Sequence, residues 1–76
     1  MIKEHDCVVL TGDLPAEGLK AGDLGTVVHI HKEGLAYEVE FVTLTGQTVA
    51  VATVQRPQCR PVSQRDISHV RELASA

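Results

Sequence analysis

Seventy-six residues, 43% of them hydrophobic, describe one small domain whose core must be built of Val, Leu, Ile and Ala, because Tyr37 and Phe41 are the only large aromatics. A net charge of −3 argues against a general polyanion binder. No apolar run approaches membrane-spanning length, which argues against a membrane partner.

Cys7-Val8-Val9-Leu10 reads as a short first strand, and Thr11-Gly12-Asp13-Leu14-Pro15 ends it, because Pro15 forbids regular pairing. Residues 11–24 form a long irregular excursion pivoting on Gly12, Gly18 and Gly22. It closes in Leu19-Lys20-Ala21-Gly22-Asp23-Leu24-Gly25, a tight turn in which Gly22 and Gly25 are expected to supply backbone angles closed to other residues. Asp23 can hydrogen-bond its own turn. The second strand runs from about Thr26 to His31, and Lys32-Glu33-Gly34-Leu35 is a tight hairpin loop. Strand three, Tyr37 to Phe41, alternates strictly, with Tyr37, Val39 and Phe41 inward and Glu38 and Glu40 outward. Thr45-Gly46 marks a turn, and strand four, Thr48 to Val54, is apolar on both faces. Pro57 and Pro61 bracket a short turn leading to Cys59 and Val62. Ile67, Val70 and Leu73 then fall at helical spacing, with Ser63 and Asp66 as caps, which predicts a short amphipathic helix over 66–74. Such a helix must dock on something.

This order describes a mainly β fold: a small SH3-like barrel of four to five antiparallel strands over residues 1–63, with a C-terminal amphipathic helix and tail over 64–76. A domain this small buries only about 60% of its unfolded surface, so extra stabilisation is expected from a subunit partner, a metal or a disulfide. Cys7 and Cys59 are the only cysteines, and no secretory signal precedes the first strand. A cytoplasmic protein with two reduced thiols is the expectation; a bridge stays open if the first and last strands are neighbours.

The charge is uneven. Residues 1–54 hold three lysines against eight carboxylates, a net of −5. Residues 55–76 hold Arg56, Arg60, Arg65 and Arg71 against Asp66 and Glu72, a net of +2. An acidic body with a basic arm hints at self-association or an acidic partner.

Three stretches, VVLTGDLPAEGLKAGDLGTVVHI, AYEVEFVTLTGQTVAVATV and RPVSQRDISHVRELA, closely resemble the small bacterial domains catalogued as domain of unknown function 4926. The resemblance supports the fold and transfers no active site. It implies small stand-alone proteins, some encoded beside toxin-like partners, so an antitoxin-like or immunity-type role is one alternative. The glycine turn is also similar to the opening turn of KOW-type barrels, which implies RNA or protein binding through the same loop. Type II dihydrofolate reductases resemble the chain in size and barrel class, but their Val-Gln-Ile-Tyr stretch is absent: Val54-Gln55 is followed by Arg56-Pro57.

No nucleophile, acid–base pair or cofactor motif emerges. Ser63 and Ser68 lack a strained elbow, and Glu38 and Glu40 lie on an outward strand face. The chain is read as non-catalytic, with no cofactor. His29 and His31 could present two imidazoles to a metal, with a carboxylate from Glu38 or Glu40. A regular hairpin would place His29 opposite Glu38 and Val27 opposite Glu40, and a cross-strand His–Glu pair explains the same residues without a metal. With a two-residue turn at Thr45-Gly46, Val42 faces Val49 and Glu40 faces Val51. Val27, Val42, Val49 and Val51 then form an apolar stripe on the outer face, which needs a cover. That cover is either the chain's own helix, through Ile67, Val70 and Leu73, or a second subunit. The four arginines could grip phosphates, or pair with Glu38, Glu40 and Glu72. Bases would find no aromatic platform, so nucleic acid is disfavoured. The expected function is a protein-interaction module that self-associates into a homo-oligomer.

Overall fold

The computed structural model describes residues 1–74. Five strands, β1 (Cys7–Leu10), β2 (Leu24–His31), β3 (Ala36–Val42), β4 (Thr48–Gln55) and β5 (Cys59–Pro61), form one antiparallel sheet in the order β4-β3-β2-β1-β5. The sheet is open, with β4 and β5 at its edges. Single 3-10 turns at Pro15–Glu17, Lys32–Gly34 and Arg56–Gln58 are the only helical segments among the described residues.

The inner face is the aliphatic core expected from composition. Val8, Val27, Val39 and Val54 are fully buried, and Leu10, Leu19, Tyr37, Phe41, Ala52 and Cys59 complete the cluster. Strand alternation places Tyr37, Val39 and Phe41 inward, opposite Val54, Ala52 and Ala50. Every described charged side chain stays out of the core. The first and last strands are neighbours, with Leu10 opposite Cys59. Cys7 lies at the other end of β1 and is exposed, while Cys59 is buried, and both thiols are free. Burial pushes the Cys59 thiol above its ordinary pKa.

Turn chemistry delivers the chain into β2. Asp23 Oδ2 accepts the Lys20 amide at 2.8 Å and Asp13 Oδ1 accepts that of Ala21 at 2.8 Å. Leu10 then donates its amide to the Asp23 carbonyl, and Gly22 donates to the Leu10 carbonyl. Gly22 has a φ of +91°, which favours glycine. Gly25 does not share that role. Its φ is unexceptional, and it is needed because a methyl there would lie 2.5 Å from Val39 Cγ1 and 2.8 Å from Phe41 Cε2.

Two bulges correct the expected registers. His29 does lie opposite Glu38, but a shift between Val27 and His29 sets Val27 opposite Val39 instead of Glu40. One extra residue, Val28, rotates Val27 into the core and removes it from the outer stripe. Glu40 lies opposite Val51 as expected. A second shift, after Phe41, pairs Val42 with Thr48 rather than Val49. Val49 consequently packs against the core margin.

The C-terminal helix does not form among residues 66–74. Its intended caps close a local turn instead. Asp66 Oδ2 accepts the Ser63 amide at 2.7 Å, and the Asp66 amide bonds the Ser63 carbonyl. Ile67 and Val70 are 91% and 67% exposed, so two of the three residues of the expected amphipathic face stay unburied. A helix that short is unstable without a surface to bury against. The last two residues of the expected 64–76 segment lie outside the described residues.

Candidate functional site

The outer face of β3 and β4 carries both the charged and the apolar candidates. Glu38 is the hub of its polar half. His31 Nε2 donates to Glu38 Oε2 at 2.8 Å, and the Thr53 hydroxyl donates to the same carboxylate at 3.0 Å. The His31 hydrogen bond holds the Glu38 carboxyl below its ordinary range against a smaller opposing effect of burial, and Thr53 adds to it. His29, although opposite Glu38, faces Glu4 across 3.8 Å and meets the His31 ring edge to face at 4.7 Å. The two imidazoles thus turn to different carboxylates. Among the described residues no three His, Cys, Asp or Glu side chains converge on one point. Glu40 is taken by the Thr48 hydroxyl at 2.9 Å.

The apolar half is open. Val42 is 49% exposed and Val51 is 52% exposed, and Val28 is also exposed. The tail that was to cover them runs elsewhere. Arg71 grips Asp23 with two bonds, Nε to Oδ1 at 2.8 Å and Nη2 to Oδ2 at 2.6 Å, and reaches the Gly18 carbonyl at 3.3 Å. Leu73 then lies in a shallow groove with Pro15, Leu19 and Val49. The tail is thereby strapped to the first loop. The Arg71 guanidinium holds the Asp23 carboxyl below its ordinary range, against partial burial.

The basic arm is half committed. Arg60 forms a two-pronged pair with Asp66, at 2.9 and 2.7 Å, and its guanidinium holds the Asp66 carboxyl far below the usual carboxylate range. Arg60 and Arg71 therefore pair with Asp66 and Asp23 rather than with Glu38, Glu40 or Glu72. Arg56 and Arg65 are exposed and form no ion pair among the described residues.

One feature carried no residue-type signal: the free edge of β4. Arg56 donates its amide to the Leu35 carbonyl, so Leu35 and Arg56 form a hydrogen-bonded pair of the β3–β4 ladder. Antiparallel pairs alternate, so Tyr37–Val54 and Val39–Ala52 are bonded pairs, whereas Ala36–Gln55, Glu38–Thr53 and Glu40–Val51 are not. The amides and carbonyls of Gln55, Thr53 and Val51 consequently point away from the sheet. Gln55 finds a local partner, its amide bonding Gln58 Oε1 at 2.8 Å. No partner on another described residue meets the outward groups of Val51 and Thr53.

Among the described residues no helix is long and apolar enough to cross a membrane. The family described as "Domain of unknown function (DUF4926)" matches residues 4–61. No curated protein and no solved structure matches the chain.

Proposed function

The chain belongs to the DUF4926 family, and on that premise we propose that it is a non-catalytic protein-interaction module of small SH3-like barrel type that self-associates. One observation carries the reading: the outer flank at Val42 and Val51 is half exposed, while the chain's own tail is tied to Asp23. Burying such a flank releases water from apolar surface and stabilises whatever covers it, at roughly 25 cal/mol per Å². A second copy is the cover that a single-chain design always has at hand. The barrel type is supported by the long first loop, the meander β2-β3-β4 and the single 3-10 turn before β5.

Size-exclusion chromatography with light scattering tests the proposal. A mass rising with concentration above 8.2 kDa is the expected result. A fixed monomer at micromolar concentration would overturn it. The nucleic-acid alternative has less to draw on, since two of the four arginines are held by carboxylates. It predicts salt-dependent retention of RNA, which the same preparation can test.

A further inference from the structure

We propose that two copies pair through the β4 edge, antiparallel about a two-fold axis beside Ala52, joining two five-stranded sheets into one. The inference rests on the self-association reading and assigns its surface.

A solvent-facing strand edge is a template for another strand, and natural edges are blunted by lysine, proline or inward charge. Strand β4, Thr-Val-Ala-Val-Ala-Thr-Val-Gln, has none of these. The outward backbone groups fix the register. Pairing centred on Thr53 would set Val51 against Gln55, whose amide already bonds Gln58. Pairing centred on Val51 would set Thr53 against Val49, where the ladder is bulged. With Ala52 on the axis, Val51 meets Thr53 of the second copy and Thr53 meets its Val51. These are the two residues of β4 with outward groups and no local partner. Each pair exchanges two N–H···O bonds, four in all. On the outer face the exposed Val51 side chain then lies beside the Thr53 methyl of the other copy, a favourable β-branched cross-strand pair. The strand is uncharged, so two copies approach edge to edge without like-charge contact.

Val51→Pro removes one outward N–H from each copy and leaves the β3 ladder bonds in place. It should raise the dimer dissociation constant at least about tenfold, measured by sedimentation. Glu17→Gln, at an exposed side chain of the first loop and outside β4, should leave the dimer intact. In the wild-type protein, hydrogen exchange at the Val51 and Thr53 amides should slow as concentration rises, a readout that stands even if the proline variant does not fold. A V51P dimer as tight as wild type, or Val51 and Thr53 amides that exchange equally fast at every concentration, would overturn the edge inference while leaving self-association standing. A wild-type protein that stays monomeric would overturn both.

Discussion

At the residue scale, the tightest constraint is spatial. Gly25 sits under Val39 and Phe41, with room for a hydrogen and none for a methyl. Gly25→Ala should destabilise the fold by about 1–3 kcal/mol in urea denaturation, because both neighbours are themselves buried and cannot retreat. An unchanged midpoint would contradict the packing described. The Asp23–Arg71 pair makes a different prediction. Its carboxyl titrates below the ordinary 3.8 because the ionised form is bound by Arg71. The pair's contribution is therefore complete above about pH 3.8 and fades as pH falls through the lower folded value. Acid should release the tail before the sheet unfolds, seen as loss of the Arg71 side-chain N–H resonance. Arg71→Ala should free the tail at all pH values. A tail equally ordered in that variant would show that Leu73, not the ion pair, holds it. Asp23 was legible as a turn residue, but nothing in sequence tied it to an arginine 48 positions away.

At the element scale, periodicity spoke clearly where the backbone stayed regular. Strand three alternates without interruption, and its inward and outward sets emerge as read. Registers held until a bulge intervened. His29 opposite Glu38 and Glu40 opposite Val51 survive, whereas Val27 and Val42 shift. An inserted residue such as Val28 has no compositional mark, because valine suits a bulged or a paired position alike. The C-terminal helix failed for a physical reason: its spacing was helical, but the stripe meant to receive it lost Val27 and Val49 to the bulges, and Arg71 ties the tail to Asp23 instead. The β2–β3 turn carries strain that composition hid. Lys32 and Glu33 adopt φ values of +48° and +59°, beside Gly34. Glu33→Gly should relieve more left-handed strain than it adds in chain entropy, for a net gain of about 0.5 kcal/mol. A lower urea midpoint would mean that the Glu33 side chain stabilises the turn in a way its exposure does not suggest.

At the scale of the whole molecule, size and shape pull in one direction. Seventy-six residues close a core of ten buried side chains, yet Val42 and Val51 stay half bare and the β4 edge finds no partner strand among the described residues. Of the expected outer stripe, Val42 and Val51 lie half bare while Val27 and Val49 turn to the core, and the direction of the β4 backbone groups was not legible, since that depends on ladder phase. The unpaired edge and the exposed Val51 beside it favour a second copy at the same place, and the central claim is that β4 meets its counterpart. The most direct measurement is backbone amide exchange at Val51 and Thr53 across a concentration series, with mass followed by light scattering. The account predicts protection of both amides rising in step with a mass approaching twice 8.2 kDa. Mass that doubles while those two amides stay fast would contradict it.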